Sequence, residues 1–205
     1  MLEIRVLTRA DGRNVPWKNG RGTTLELAVW PEGSSLERAD FAWRLSAARV
    51  AENGPFSLFP GCERILTVTE GAGLVLAHGP AAPRARLRRL EPYRFAGDWP
   101  TTAELVAGPI ADFNVIQHRE RAQAEVQAFA LGQRRARETL AAGHAFLHVL
   151  AGQLTARITG EEEPFGLEAG SSLWVRGLRG GEELELTGRR RELELLLVSL
   201  SGERA

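Results

Sequence analysis

Residues 64–77 read RILTVTEGAGLVLA, and this stretch sets the expectation for the fold. Apolar residues recur along it with a period of two, interrupted at Glu70-Gly71. Successive side chains of a β-strand point to opposite faces, so this period predicts strands that each bury one face. Glycine tolerates the backbone angles of a tight turn. The stretch therefore predicts two strands joined by a hairpin turn at Glu70-Gly71.

The same period of two recurs along most of the chain, with Gly and Pro between the periodic segments. Helical patterns are scarce, and we interpret residues 121–129 (RAQAEVQAF) as a strand because another strand is needed there. Short strands at near-regular spacing indicate an antiparallel sandwich or barrel. The periodic segments are 2–7, 23–30, 41–50, 64–77, 103–108, 126–131, 144–158, 171–177, 182–188 and 192–200.

An internal repeat is visible at an offset of about 80 residues. The run Leu66-Thr67-Val68, followed by Gly71, matches Leu147-His148-Val149, followed by Gly152. The segment that leads from Gly108 into residues 112–115 matches the one that leads from Gly188 into residues 192–195. Any two β-rich halves share some patterns, but tandem repeats are the better interpretation. We therefore predict an all-β chain of two tandem antiparallel β-sandwiches, residues 1–119 and residues 120–205.

The two predicted halves differ in composition. Residues 1–119 hold four of the five Trp, all four Asn, the only Tyr and the only Lys, whereas residues 120–205 are a plainer mixture of Leu, Ala, Gly, Glu and Arg. Aromatic and amide side chains are the groups that build ligand sites. We expect the first half to carry the function and the second half to be mainly structural.

The overall charge excludes some classes of partner. The chain has 26 basic and 26 acidic residues, so no net field attracts nucleic acid or an anionic membrane. No apolar run approaches the roughly 18 residues of a membrane-spanning helix, and Met1 is not followed by the pattern of a signal peptide. The single Cys62 cannot form an internal disulfide. These features predict a cytoplasmic protein.

Residues 16–24 (PWKNGRGTT) form a Gly-rich segment before a predicted strand. Closely spaced glycines let backbone N–H groups approach a ligand, and Lys18 and Asn19 offer an ammonium and an amide that suit a carboxylate or phosphate. Every other basic residue of the chain is one of 25 arginines, which makes Lys18 distinctive. The order of a P-loop is absent, and a plain turn between strands is the alternative.

Two further segments place polar side chains on predicted strands. In FAWRLS, Arg44 and Ser46 share one face; they line a pocket if that face is interior, and Arg44 is solvated if it is not. In DFNV, Asp112 and Asn114 share one face and require partners. Pairing with Arg44 or Arg64 would satisfy them, either around a ligand or as an internal salt bridge.

Two loops complete the distinctive set. The segment GPFSLFPG, residues 54–61, has Gly and Pro at both ends, and its aromatic residues Phe56 and Phe59 serve either to anchor the loop or to contact a ligand. Arg64 follows near the start of a strand, where a rim position of a small barrel points into the mouth. The segment FAGDWP, residues 95–100, contains Asp98.

Metal and nucleophilic chemistry have little support in the sequence. His144 and His148 lie on one face of a predicted strand but roughly 13 Å apart, which is too far to share a metal ion. Paired-histidine, CxxC, HExxH and GxSxG motifs do not occur. We therefore expect no metal site and no cofactor.

Five segments, in this order and spacing, resemble the HutD/Ves family: PWKNGRGTT, FAWRLSAARV, NGPFSLFPGCERILTVTEGAGL, FAGDWP and DFNVI. They span about residues 14–118, more than half of the chain. The resemblance implies a bicupin, that is, two tandem cupin repeats of the RmlC-like jelly-roll type. The paired His and Glu of metal-binding cupins are missing from both repeats. The resemblance also implies that a homodimer is possible, since cupins often pair through sheet edges.

The resemblance implies a binding function in histidine utilization. HutD is associated with histidine-utilization genes and is thought to bind N-formyl-L-glutamate, and Ves is linked to stress responses. The ligand-binding positions that carry over are Lys18, Asn19, Gly20, Thr23, Arg44, Ser46, Phe59, Arg64, Asp98, Asp112 and Asn114. Arg21 departs from the Gly that is common in the family, and an added cation there would either strengthen or block an anion site.

We therefore predict a metal-independent protein that binds a small anionic metabolite, a carboxylate such as N-formyl-L-glutamate, and acts as a sensor or governor of histidine utilization. Lys18, Arg44 and Arg64 would neutralise carboxylates, and Asn19, Ser46 and Asn114 would hold amide or formyl groups. One alternative is a metal-independent isomerase or hydrolase with Asp112 or Asp98 as general base. Another is a structural protein whose polar strands form only internal salt bridges.

Overall fold

The computed structural model describes residues 1–17, 22–131, 135–189 and 192–202. Regular structure in these residues consists of strands and two short 3-10 turns, Arg9–Asp11 and Gly79–Ala81. The strands are β1 (Glu3–Leu7), β2 (Arg13–Pro16), β3 (Thr23–Trp30), β4 (Trp43–Val50), β5 (Gly54–Pro55), β6 (Cys62–Glu70), β7 (Leu74–Ala77), β8 (Ala85–Leu87), β9 (Tyr93–Ala96), β10 (Thr102–Leu105), β11 (Ile110–His118), β12 (Ala122–Ala130), β13 (Arg135–Thr139), β14 (Gly143–Ala151), β15 (Gln153–Ile158), β16 (Phe165–Glu168), β17 (Ser172–Leu178), β18 (Glu183–Gly188) and β19 (Glu194–Gly202). The fold is all-β, as the periodicity predicts, and β12 covers the segment 121–129 almost completely.

One compact unit comprises Gly12–Ala122, here called the 12–122 unit. It contains a six-stranded sheet in the order β2-β3-β4-β11-β6-β9 and a four-stranded sheet in the order β5-β10-β7-β8. Apolar side chains of both sheets form one core, because strands with a period of two bury one face each. The core members are Val50, Leu66, Val68, Leu74, Leu76, Leu87, Phe95, Ala103 and Ile110.

The other compact unit combines Met1–Asp11 with Gln123–Ala205 and is here called the split unit. Its sheets have the orders β1-β17-β14-β19-β12 and β13-β18-β15-β16. The sequence assigns residues 1–119 to the first repeat, but β1 pairs antiparallel with β17, with Ile4 opposite Val175. Leu2 and Ile4 pack against the hydrophobic core of the split unit. Burial of these two side chains gives the physical reason for the pairing.

The strand order of the two units corresponds. The order β4-β11-β6-β9 in the 12–122 unit has its counterpart in β12-β19-β14-β17, and β5-β10-β7-β8 has its counterpart in β13-β18-β15-β16. Gly71 and Gly152 occupy equivalent turns, with φ angles of +90° and +84°. The hairpin predicted at Glu70-Gly71 is wrong, because the strands on the two sides of the turn belong to different sheets, and the same holds for the turn at Gly152. Each turn instead carries the chain from the larger sheet to the smaller one.

Within the part of the chain that the structure describes, we find no helix with the length and apolar character needed to cross a membrane.

Alanine substitutions at two glycines test whether the turn at Gly152 is fixed by close packing. A Cβ at Gly152 would lie 2.1 Å from the Glu192 carbonyl oxygen, whereas a Cβ at Gly160, which has a φ of +93°, would meet nothing within 4 Å. Gly160→Ala should lower the free energy of unfolding by about 1–2 kcal/mol, the strain of a left-handed alanine. Gly152→Ala should lower it by about 2–5 kcal/mol, because overpacking adds to the same strain. Urea denaturation measures both values, and equal losses would contradict the packing argument.

Candidate functional site

The candidate site is built on one face of the six-stranded sheet. Ile116 of β11 lies opposite both Arg44 of β4 and Arg64 of β6, and Asn114 lies opposite Ser46. Residues directly opposite one another project from the same face of a sheet, as do residues two positions apart in one strand. Arg44, Ser46, Arg64 and Asn114 therefore share one face.

This face points into the core of the 12–122 unit. Leu66 and Val68 alternate with the residues of the opposite face and pack in the core with residues of the four-stranded sheet. Asp112 lies opposite Val68 and so belongs to the same interior face. The exposed fractions of Arg44 and Asp112 are 3% and 4%. The interior placement of Arg44 is confirmed, and the solvated alternative is wrong.

Arg44 is held by a buried acid, Glu26 of β3. The Arg44 Nε atom donates to Glu26 Oε2 at 2.6 Å, and Nη1 donates to Ser46 Oγ at 3.3 Å. The other oxygen of Glu26 accepts hydrogen bonds from the largely exposed Arg13. Nη2 of Arg44 is buried and has no hydrogen-bond partner among the described residues. One donor of a strongly paired guanidinium thus remains available.

Arg64 lies among three aromatic rings. Its guanidinium carbon is 5.0–5.3 Å from the ring centroids of Phe56, Phe59 and Phe95, which is within the range of cation–π attraction. Nη1 donates to the Ser57 carbonyl oxygen at 3.3 Å, and the buried Nε has no partner among the described residues. Burial lowers the pKa of Arg64 to about 10; Asp112 opposes this shift, and Arg44 adds to it. Arg64 therefore still carries its charge at neutral pH.

Asp112 is a buried acid without a firm partner. No described residue donates a hydrogen bond to its carboxylate, in contrast to Glu26. Burial raises the pKa of Asp112 to about 7, and the charge of Arg64 offsets only part of that shift. Two residues along β11, the buried Oδ1 atom of Asn114 also has no partner among the described residues. The interior face thus carries unpaired donors, an unpaired acceptor and a carboxyl group close to half-ionisation.

Phe59 packs against Arg64, and Asp98 lies in a second loop that is hydrogen-bonded to the loop that carries Phe59. Asp98 Oδ1 accepts a hydrogen bond from the Gly61 N–H at 2.9 Å, and Oδ2 accepts one from Arg119. The pKa of Asp98 is lowered mainly by the hydrogen bond from the Gly61 N–H and, to a smaller extent, by the hydrogen bond from Arg119. Asp98 is largely exposed and is bound to the end of the loop that carries Phe59. Its contacts fit a positioning role better than ligand contact.

The predicted Gly-rich segment lies only partly within the described residues. Lys18, Asn19, Gly20 and the departure at Arg21 lie outside the described residues. Thr23 is exposed at the start of β3, away from the interior polar groups. Its neighbour Thr24 lies opposite Ala48 of β4 and accepts a hydrogen bond from Trp17 Nε1 at 2.9 Å.

Glu26 is the functional-site residue that the sequence prediction missed. It stands in the middle of the apolar strand TTLELAVW, and an isolated acid at such a position signals a buried cation nearby. Phe95 was also missed, because its ring contact with Arg64 depends on the pairing of β6 with β9, which are far apart in sequence.

By strand register, which replaces the sequence match of residues 112–115 with 192–195, the equivalent positions of the split unit are not charged. In the 12–122 unit, β6 and β11 pair Val68 with Asp112, Leu66 with Asn114 and Arg64 with Ile116. In the split unit, β14 and β19 pair Val149 with Leu195, Leu147 with Leu197 and Ala145 with Ser199. Leucine thus takes the places of Asp112 and Asn114, and alanine takes the place of Arg64. The described residues of both units contain no group of three or more His, Cys, Asp or Glu that could hold a metal ion.

Comparison with known proteins relates the chain to one family. The HutD family model matches residues 9–193. Protein Ves from Citrobacter koseri is 41% identical over 121 residues, which cover 57% of this chain and 61% of Ves. An uncharacterised 21.2 kDa protein in the hutC 3′ region of Pseudomonas putida is 37% identical over 130 residues, or 63% of this chain and 66% of that protein. The chain thus matches less than two thirds of the length of these curated relatives.

Solved structures agree with this relationship over nearly the whole chain. A conserved protein of unknown function from Pseudomonas aeruginosa PAO1 has a TM-score of 0.86 at 33% identity, covering 98% of this chain and 100% of that one. HutD from Pseudomonas fluorescens SBW25, in a formate condition, has a TM-score of 0.78 at 32% identity with the same coverage. Vicilin from tomato has a TM-score of 0.67 at 9% identity, covering 97% of this chain and 85% of vicilin. This last similarity concerns the cupin-like β fold alone.

Removing the carboxylate of Glu26 tests the buried ion pair. Glu26→Gln would leave Arg44 as a buried charge without its counterion, so the free energy of unfolding should fall by about 3–5 kcal/mol. The matched control is Glu104→Gln, since the pair of Glu104 with Arg84 is exposed on both sides and should contribute less than about 1 kcal/mol. Urea denaturation of both variants measures the difference. A loss below 1 kcal/mol for Glu26→Gln would contradict the buried pair.

The raised pKa of Asp112 predicts how its contribution to stability changes with pH. The folded protein holds a proton on Asp112 up to about pH 7, whereas the unfolded chain loses it near its ordinary pKa of 3.8. The contribution of Asp112 to stability is thus fully present below about pH 4 and is lost as pH rises to about 7. The Asn side chain of Asp112→Asn does not titrate. Its free energy of unfolding relative to the wild type should therefore increase by up to about 4 kcal/mol between about pH 4 and about pH 7. Urea denaturation at several pH values tests this, and a constant difference would contradict it.

Proposed function

Because this chain belongs to the HutD family, we propose that its 12–122 unit binds a small carboxylate, N-formyl-L-glutamate or a related acylated amino acid, as a sensor or governor of histidine utilization. The family carries an association with the histidine-utilization locus, since one relative lies in the hutC 3′ region of Pseudomonas putida. We further propose that both units are cupin repeats, that the split unit is mainly structural, and that the protein acts in the cytoplasm, with a homodimer possible.

The observation that carries the proposal is the set of unpaired polar atoms on the interior face. Arg44 Nη2, Arg64 Nε and Asn114 Oδ1 are buried without hydrogen-bond partners among the described residues. A buried donor or acceptor without a partner costs about 1–3 kcal/mol, and more for a charged group. A carboxylate placed between the two guanidinium groups would accept hydrogen bonds from both, and the amide N–H of an N-formyl or other N-acyl group would donate to Asn114 Oδ1.

The charges on the interior face also favour an anion. The charge of Arg44 lowers the pKa of Arg64, and Glu26 already shares its charge between Arg44 and the more exposed Arg13. The remaining buried acid, Asp112, is about half protonated at neutral pH. Positive charge therefore exceeds negative charge among the described groups of the face. An anionic ligand would reduce the repulsion between the two guanidinium groups.

The internal comparison argues against a purely structural role for these groups. The split unit builds an equivalent sheet pair with Leu195, Leu197 and Ala145 at the corresponding positions. A buried ionic group is often no more stabilising than an apolar group of similar volume. The fold itself therefore does not require Asp112, Asn114 and Arg64 in the 12–122 unit.

In this proposal, Arg44 and Arg64 bind the ligand carboxylates, and Ser46 and Asn114 orient the polar groups beside them. Phe59 and Asp98 act through the loops around Arg64. Lys18, Asn19, Gly20 and Thr23 remain predicted contacts from the Gly-rich segment.

A second candidate, a metal-independent hydrolase or isomerase, is favoured by Asp112 alone. Glu26 and Asp98 are bound to arginines, but Asp112 accepts no hydrogen bond from a described residue, and its pKa of about 7 suits a general base. Hydrolysis of N-formyl-L-glutamate would consume water and release formate and glutamate. NMR spectra of long incubations would detect formate, and its loss in Asp112→Asn would favour this candidate over simple binding.

Isothermal titration calorimetry with N-formyl-L-glutamate, glutamate, urocanate and formate tests the binding proposal. We expect heat with N-formyl-L-glutamate, and we expect Arg64→Ala to weaken binding by at least tenfold, since truncating one partner of a buried charged contact costs about 2–5 kcal/mol. Asn114→Ala, a milder change, should weaken binding by a smaller factor.

Arg94→Ala is the matched control, since Arg94 pairs with Glu63 at the surface and should leave the affinity unchanged. Circular dichroism and urea denaturation establish that each variant is folded. If folded wild-type protein gives no heat with any of the four compounds, the proposal is overturned.

A further inference from the structure

Asp112 differs from the other acids of the 12–122 unit that bear on the site. Glu26 accepts charged hydrogen bonds from two arginines, and Asp98 accepts bonds from Gly61 and Arg119. Asp112 is at least as buried as Glu26, at 4% against 6% exposed, yet no described residue donates to it. A buried carboxylate without donors is costly, whereas a neutral carboxylic acid is far less so and is itself a donor.

The groups around Asp112 decide which form it takes when an anion binds. Its direct neighbours across the sheet, Ala48 and Val68, are apolar. The charged or titratable groups on the elements packed around it are Glu26 on β3, Arg44 on β4, Arg64 on β6, Tyr93 on β9, His78 after β7, and Arg89, which donates to the Thr69 carbonyl oxygen. Arg64 is the group whose charge acts on Asp112, and it stabilises the ionised form.

A bound anion reverses that influence. A carboxylate that accepts hydrogen bonds from Arg44 and Arg64 neutralises the cations that favour ionised Asp112. It also places a second negative charge on the same buried face, and two carboxylates that share a site cannot both ionise easily. Asp112 and the ligand carboxylate can lie side by side if they share one proton, because only one of the two groups is then charged.

We propose that Asp112 is a specificity-determining residue of this site, which binds its carboxylate ligand together with one proton, and that Asp112 in its neutral acid form donates a hydrogen bond to the bound anion. This inference rests on the proposed binding function and adds the role of Asp112 to it. The binding reaction takes up one ligand anion and one solvent proton, which is added to the Asp112 carboxylate. No bond within the ligand is made or broken.

The proposal gives the site a preference among ligands. A neutral acid donor and two guanidinium groups together suit an acceptor-only group such as a carboxylate. If an amide replaces the ligand carboxylate, its N–H groups face hydrogen-bond donors of the protein, which cannot accept a hydrogen bond. Ligands with the same skeleton and an amide in place of the carboxylate should therefore be rejected. Carboxylate ligands stay ionised between pH 6 and pH 8.5, so the titration in this range belongs to the protein.

Calorimetry of N-formyl-L-glutamate binding in two buffers of different ionisation enthalpy measures the proton uptake directly. Since Asp112 has a pKa of about 7 in the free protein, uptake should approach one proton per ligand near pH 8 and fall towards zero near pH 6. The dissociation constant should accordingly rise towards tenfold per pH unit above about pH 7.

Asp112→Asn keeps a hydrogen-bond donor at this position but cannot take up a proton. We expect this variant to bind N-formyl-L-glutamate with an affinity that is nearly independent of pH. The proton uptake that we assign to Asp112 should be lost. Glu63→Gln, a change at a more exposed acid of the same unit, is the matched control and should keep the uptake of the wild type.

The outcomes separate the two proposals. Heat that does not depend on the buffer, or uptake that is the same in Asp112→Asn and the wild type, overturns the role of Asp112 and leaves the binding function intact. No heat in any buffer overturns the binding function itself. If Asp112→Asn does not fold, infrared difference spectra of the wild type with and without ligand provide the second test. They should then contain a protonated carboxyl band that appears on binding at pH 8, and its absence would overturn the inference.

Discussion

The burial of two guanidinium groups inside one β-unit is the constraint on which the candidate site depends. Arg44 is stabilised by the carboxylate of Glu26, and Arg64 by the rings of three phenylalanines and one carbonyl oxygen. Each solution leaves one guanidinium nitrogen without a hydrogen-bond partner among the described residues. The rest of the site follows from this arrangement, because the loop that carries Phe56 and Phe59 must be held where it covers Arg64. Asp98 contributes to that by bonding to Gly61 and Arg119.

The period of two in the sequence predicted the strands and the pairs of residues that share a face. It placed Arg44 with Ser46 and Asp112 with Asn114 correctly, because alternation along a strand is a local property. It left open whether Arg44 faces the interior or solvent, since that depends on which face of the sheet packs against the four-stranded sheet. The members of that sheet come from segments up to about 50 residues apart, and no local pattern specifies how they pack.

Pairings between distant segments account for what the sequence failed to predict. The partner of Arg44 is Glu26, 18 residues earlier, and their meeting depends on the register of β3 with β4. The strand β1 pairs with β17, far along the chain, and the turns at Gly71 and Gly152 change sheets instead of forming hairpins. In each case the local sequence is compatible with more than one partner. Burial of apolar side chains against the final partner decides the outcome.

The two units of the chain separate what the fold needs from what the site needs. Both have a larger and a smaller sheet in corresponding order, with a left-handed glycine at the turn between them. In the split unit the interior positions of β14 and β19 are apolar, as expected for a β core. In the 12–122 unit the same positions hold a cation, an acid and an amide, which burial makes costly unless partners compensate. Since the apolar solution is present in the same chain, the fold does not require the polar one, and this contrast supports the proposed binding role.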